Sequence, residues 1–290
     1  MKKTRAIIEQ TMRGAFFICG MLTIVAVFGI AGYMILNGLP AIRELGPAEF
    51  LFGQVWRPTA SEPSFGILPM ILTSIYGTVG AILIGVPIGL MTAIFLAKIA
   101  SPKIAATVNT AVELLAGIPS VVYGFVGMIV FVPLVRSVFG LGNGATLFSA
   151  IIVLSVMILP AIINVSRTAL TSVPREYEEA SYALGATKIE TIFKVSVPAA
   201  RSGIAAGIVL GVGRAIGEAM AIIMVAGNVV NMPGLFESVR FLTTAIAMEF
   251  GYATGLHRQV LFSIGLILFI FILILNLTLN LVLKRGGKTR

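Results

Sequence analysis

Residues 146–167 read Thr-Leu-Phe-Ser-Ala-Ile-Ile-Val-Leu-Ser-Val-Met-Ile-Leu-Pro-Ala-Ile-Ile-Asn-Val-Ser-Arg, with no ionisable side chain before Arg167. A helix crossing a hydrocarbon layer of about 30 Å needs about 20 mostly apolar residues, which this run supplies. Lipid offers no partner to an unpaired backbone amide, so such a run spans as a helix. Working outward, five more stretches reach that length: 14–36, 67–97, 105–135, 202–230 and 259–283. The whole chain agrees, since 58% of its 290 residues are hydrophobic and 11% charged, a balance that a water-soluble domain does not carry. These stretches predict an all-α membrane protein built as a bundle of six transmembrane helices. Pro87, Gly117, Pro119 and Pro160 lie inside the runs and predict kinks or breaks facing protein or a cavity. The 14–36 stretch follows basic residues as a signal peptide does, yet it is too long for one and lacks a small-residue cleavage site, so it reads as a retained anchor.

Cations orient the bundle, because short loops rich in Lys and Arg stay in the cytoplasm. With six spans both termini share a side, and that side holds fifteen of the 21 Lys and Arg residues, against five opposite and Arg214 within a span. The N-terminal tail (1–13), the loop 168–201 and the C-terminal tail (285–290) are thus expected in the cytoplasm, and the loop 37–66 outside it. The net charge of +9 is mostly this topology signal, so nucleic acid is not an expected partner, whereas membrane lipid is.

The chemistry-bearing residues are few. Every one of the 12 acids is Glu, and there is one Cys and one His. Cys19 sits in an apolar run and reads as a small hydrophobe, and neither a disulfide framework nor a Cys-rich metal site is possible within the chain. An intramembrane enzyme would need an acid, base or metal set, and no His-Glu-x-x-His is present. No Gly-x-x-x-x-Gly-Lys-Ser/Thr segment exists either. Catalytic residues, bound metal and cofactors are therefore not expected in this chain. In the outer loops, Trp56 reads as an aromatic anchor at headgroup level or part of a docking segment, and His257 beside Arg258 as a surface residue.

The loop 168–201 carries more information. Pro174 suits the first turn of a helix whose positive end Glu176, Glu178 and Glu179 complement, and Gly185 can take the left-handed stop. Thr187 with Glu190 makes a capping box for a second short helix presenting Ile189, Ile192 and Phe193. The loop is either a hairpin lying on the bilayer or a compact knob. Its spacing is Glu179-Ala180-Ser181, three residues, Gly185, nine residues, then Val195-Ser196-Val197-Pro198. This resembles the EAA loop of binding-protein-dependent ABC importer permeases, with Ser181 in place of the second Ala and valines in place of Ile and Leu. Glu113-Leu-Leu-Ala-Gly-Ile-Pro-Ser-Val-Val-Tyr-Gly124 is similar to a signature of the phosphate importer permeases. Gly213-Arg-Ala-Ile-Gly-Glu-Ala-Met-Ala221 and Gly255-Leu-His-Arg-Gln-Val-Leu-Phe262 resemble their C-type subunits.

The resemblance covers roughly residues 65–284 and implies the six-helix fold of type I ABC importer permeases (the MetI-like kind), with an ABC permease domain over 67–284. It implies that Glu179, Ala180, Gly185 and Pro198 belong to a coupling loop that docks on an ATPase subunit. It further implies a second, A-type permease, a dimer of ATPase subunits and a periplasmic phosphate-binding protein as partners. The expected function is translocation of inorganic phosphate across the inner membrane. Another oxyanion, a phosphonate, or an ATP-independent transporter or channel are the alternatives.

Arg214 and Glu218 are the charges hardest to read as scaffold, because an ionised group at membrane depth costs about 2.5 kcal/mol or more. Their spacing allows a mutual ion pair. A guanidinium can also donate two parallel hydrogen bonds to phosphate, and a carboxylate can accept from a P–OH that sulfate lacks at neutral pH. Both are therefore candidate substrate-path residues. Gly203, Gly207 and Gly211 form a small-residue ridge for a neighbouring helix, in this chain or in the second permease. Glu113 is placed near the cytoplasmic mouth of its helix.

Overall fold

The apolar run 146–167 forms the central post of the molecule: α7 (Leu147–Thr171) is buried along most of its apolar length, more than any other candidate span among the described residues. The computed structural model describes the backbone of residues 2–285 and the side chains of 9–278. The tails' Lys2, Lys3, Arg5, Lys284, Arg285, Lys288 and Arg290, which weigh in the orientation count, have side chains outside the described residues.

In chain order the elements begin with α1 (Lys2–Leu45) and α2 (Pro47–Phe52), then a hairpin of β1 (Trp56–Arg57) and β2 (Ser64–Phe65) in antiparallel register Trp56 to Phe65. Next come α3 (Leu68–Ile94), α4 (Pro102–Gly117), α5 (Ser120–Val126), α6 (Val132–Val138) and α7. The loop after α7 folds into α8 (Arg175–Ala183), α9 (Lys188–Thr191) and α10 (Val197–Ala199). The chain ends with α11 (Arg201–Gly217), α12 (Met220–Val225), α13 (Leu242–Glu249) and α14 (Gly255–Arg285). Single π turns follow α3 (Phe95–Ile99), α5 (Gly127–Phe131) and α9 (Ile192–Ser196).

Among the described residues, five helices are long and apolar enough to cross a membrane, and a sixth span results if the bent run from Lys188 to Gly217 counts as one. The expected helical bundle is present, with three differences. Asn37–Leu45, assigned to the outer loop, continues α1 as helix, because its Pro40 is compatible with a helix whose neighbours hold it. Ser263 Oγ donates to Gly38 O at 2.6 Å there, tying α1 to α14. The third stretch breaks at Ile118–Pro119 as expected, but Pro87 and Pro160, expected to act likewise, stay within continuous helices. The fifth breaks at Glu218–Ala219, and 226–230 is irregular rather than helical.

Close approach explains the packing of α7. A Cβ at Gly85 or Gly89 of α3 would fall 2.7 Å from Ile158 Cδ1 and 2.9 Å from Ile162 Cγ2. From the other side, a Cβ at Gly207 or Gly211 of α11 would lie 3.1 Å from Ser166 Oγ and 2.9 Å from Ile162 Cγ1. The glycine ridge therefore serves a helix of its own chain. Outside the bundle, Phe50, Trp56, Phe65, Met70, Leu242, Leu261 and Ile264 form a second core that caps α3 and α14.

Candidate functional site

The loop after α7 folds as a knob whose geometry is local. Pro174 is the N-cap of α8, one position before the expected first turn. The helix stops in a Schellman arrangement: Gly185 N–H donates to Tyr182 O at 2.9 Å and Ala186 N–H to Ser181 O at 3.2 Å. Gly185 has φ +83°, and a Cβ there would meet nothing within 4 Å. Handedness, not space, therefore demands the glycine. Thr187 and Glu190 form the capping box of α9, with each side chain on the other's backbone N–H. Those bonds, with Lys194 adding to them, hold the Glu190 carboxyl below its ordinary pKa.

The knob exposes Tyr177, Ile189 and Phe193, and Leu184 is 89% exposed. Glu179, Ala180, Gly185 and Pro198 are exposed as well, so all four expected coupling residues lie on the open surface. Ile192 was expected on this face, but the π turn after α9 rotates it inward, where it is 3% exposed among Ile94, Leu170 and Ile204. The chain then turns by 72° into α11.

Glu178, read only as a helix-end charge, does more. Its Oε1 lies 2.5 Å from Lys98 Nζ in the π turn that follows α3 and accepts from Ser196 Oγ at 2.8 Å. Burial raises its pKa, but the bonds from Lys98 and Ser196 outweigh that and hold the carboxyl below its ordinary value.

The second cluster sits where two helices break. Pro119 has no N–H for the carbonyl of Leu115, and the Tyr123 hydroxyl donates to it at 2.7 Å instead. Gly124 lies against the other break, because a Cβ there would approach Ala221 Cα to 2.7 Å. Glu218 is extended (φ −75°, ψ 129°) and its carboxylate accepts from Ala221 N–H at 3.0 Å. Its carbonyl accepts from Thr243 Oγ1 at 2.7 Å. Glu218 thus caps the restarted helix rather than pairing with Arg214. Arg214 is half-buried, has no carboxylate within 4 Å among the described residues, and lies within electrostatic range of Tyr123.

Two other polar clusters escaped the sequence reading. Glu249, 5% exposed, accepts from Trp56 Nε1 at 3.1 Å, bonds His257 Nε2 at 2.8 Å and pairs with Arg240. Trp56 and His257 are therefore buried, at 8% and 9% exposed, and neither is the surface group expected. The carboxylate explains this: it makes burying a polar ring edge favourable. Arg167 donates to Asn109, which donates to Glu113 at 2.5 Å, linking α7 to α4.

A profile of the family described as binding-protein-dependent transport system inner membrane component matches residues 85–286. The chain is 40% identical over 281 residues to the probable ABC transporter permease protein YqgH of Bacillus subtilis, covering 94% of this chain and 91% of that protein. It is 38% identical to the phosphate transport system permease protein PstC of Pasteurella multocida, covering 77% and 75%. Against PstC of Haemophilus influenzae the identity is 34%, covering 98% and 96%. Among solved structures, the importer of the polysaccharide alginate superposes with a TM-score of 0.59 over 98% of this chain and 99% of that one, at 18% identity. The inward-facing MetNI methionine transporter superposes with a TM-score of 0.56 over 78% and 95%, at 23% identity. The structures agree on the fold, and the profile and relatives on descent: this chain is a multi-pass membrane protein that belongs to the binding-protein-dependent transport system inner membrane component family.

Proposed function

We propose that this chain is the C-type permease subunit of an ATP-driven phosphate importer of the bacterial inner membrane. The observation that carries the reading is its likeness, over 77% and 98% of its length, to two permeases named for phosphate transport. The site chemistry supports it. Arg214 offers a guanidinium with no carboxylate partner at the junction of two broken helices, the arrangement by which membrane proteins commonly receive an anion at depth. Such a guanidinium can clasp a phosphate through two parallel hydrogen bonds. Glu218 keeps acceptor capacity beyond its one bond to Ala221, enough to take a proton-bearing phosphate oxygen.

In this mechanism a periplasmic phosphate-binding protein docks outside and an A-type permease completes the pathway. A dimer of ATPase subunits receives the knob formed by Glu179, Ala180, Gly185 and Pro198. ATP-driven closure of that dimer moves the knob, opens the bundle outward and lets phosphate pass by Arg214. The chain supplies position and electrostatics, and ATP chemistry resides in the ATPase subunits. Both termini lie in the cytoplasm.

Affinity purification of the tagged chain tests this reading: an ATPase subunit should co-purify, and phosphate uptake should stop when ATP is depleted. Uptake that continues without ATP contradicts it. For orientation, a cysteine at Lys188 in a Cys19→Ser background should resist an impermeant thiol reagent applied from the periplasm, whereas one at Glu62 should react. Labelling of Lys188 from that side would invert the topology.

A further inference from the structure

The knob is fastened to the bundle in two different ways. Its second half is packed: Ile192 is buried with Ala93, Ile94, Leu170 and Ile204. Its first half is not, because α8 buries none of its own residues. What holds α8 is polar. Ser181 Oγ bonds Thr191 Oγ1 at 2.9 Å, and Glu178 joins both Ser196 Oγ and Lys98 Nζ, with the Lys98 and Glu178 side chains 12% and 20% exposed. Ser196 is itself fully buried.

Lys98 lies in the π turn that ends α3, and α3 runs the full depth of the bundle against α7 through Gly80, Gly85 and Gly89. At its outer end Ser74 Oγ accepts from Leu242 N–H at 3.0 Å, and Gly77 lies directly on the Phe241 ring. One continuous, closely packed helix therefore connects the exposed knob to the start of α13 at its other end. Packed elements without room to deform move as units.

We propose that the Lys98–Glu178 ion pair is a coupling joint that hands movement of α8 to α3, so that α3 carries it across the membrane to the outer segment at Leu242. Lys98 and Glu178 are positioning residues in this scheme, and neither touches substrate. The joint suits its place, since a partly shielded charge pair bonded to a buried hydroxyl resists separation yet tolerates a change of angle better than packed side chains do. The inference rests on the ATP-driven importer reading above.

The test uses the whole complex, reconstituted with its partner permease, ATPase subunits and binding protein, and reads phosphate moved per ATP hydrolysed. Lys98→Met and Glu178→Gln should each leave the ATPase bound and hydrolysing while that ratio falls about fivefold or more, the lower range of ordinary coupling energies. Lys98→Glu/Glu178→Lys should recover roughly half of the ratio or more, as interacting sites do in a double-mutant cycle. Single variants with the wild-type ratio would overturn the joint, and so would loss of ATPase binding in the singles, because the pair would then only shape the docking surface. A wild-type complex that hydrolyses ATP without moving phosphate instead contradicts the functional reading.

Discussion

Arg214 and Glu218 end the same helix one turn apart, yet Glu218 turns its carboxylate onto the Ala221 amide and leaves Arg214 without a carboxylate partner among the described residues. The extended backbone at Glu218 takes its side chain off the helical face on which a residue four positions on meets the first. An uncompensated guanidinium at membrane depth is a standing cost of about 2.5 kcal/mol or more, which a passing anion would offset in the pathway proposed above.

This relationship predicts the outcome of a double substitution. Arg214→Gln should reduce phosphate uptake at least about tenfold, a loss on the scale of one charge-assisted hydrogen bond, while the complex still assembles. Glu218→Gln should impair uptake less. The pair Arg214→Gln/Glu218→Gln should be no better than Arg214→Gln alone, because no mutual ion pair exists to be relieved. Near-normal uptake by the double variant would return both residues to a scaffold role.

At Gly185 the relevant quantity is φ +83°, with open space where a side chain would go. A left-handed conformation costs an ordinary residue about 1–2 kcal/mol, and a β-branched residue is the least able to adopt it. Gly185→Val should keep the chain in the membrane but weaken ATPase co-purification or uncouple hydrolysis from uptake. Gly185→Asn should behave nearly like the wild type. Equal transport by the Val variant at equal expression would show that the bend is not what the coupling surface requires.

How much of this was legible depended on distance along the chain. The bundle followed from uninterrupted apolar runs such as 146–167, and the Gly185 stop and the Thr187–Glu190 box from residues within a few positions of one another. Pro119 announced its break because it lacks an N–H. Glu218 did not, since Gly217-Glu218-Ala219 contains no residue that forbids a helix, and the break is held from outside by Thr243. The Glu249 cluster was illegible for the same reason: Trp56 and Glu249 are 193 residues apart, and nothing local to either predicts that they meet. Lys98 and Glu178 likewise read as separate loop charges until the fold joined them.

The Glu249 cluster gives a stability prediction with its own reporter, because Trp56 is the only tryptophan. Glu249→Gln takes the carboxylate partner from the part-buried Arg240, which keeps its bond to Asn228 O, so the loss should be below the about 3–5 kcal/mol that breaking a fully buried pair costs. The purified variant should melt at lower temperature, and its tryptophan emission should shift to the red as the hairpin loosens. Unchanged melting and emission would mean that Glu249 does not hold the hairpin to α13 and α14.

Glu178 adds a pH dependence. Its folded carboxyl is held below the value it has in the unfolded chain, so its contribution is fully present above the ordinary carboxylate range and is lost as pH falls through the depressed value. Hydrogen exchange should therefore find the α8 amides more protected in the wild type than in Glu178→Gln at neutral pH. The two should converge once the medium is acidic enough to protonate Glu178. A difference that survives such acidification would have to arise from packing instead.

The central claim is that the complex carrying this chain imports phosphate at the expense of ATP. Its most direct test is the ATPase rate of the reconstituted complex with binding protein loaded in turn with phosphate, sulfate, molybdate or a phosphonate. The account predicts that the phosphate-loaded protein stimulates hydrolysis well above the other three. Equal stimulation by all four would contradict it.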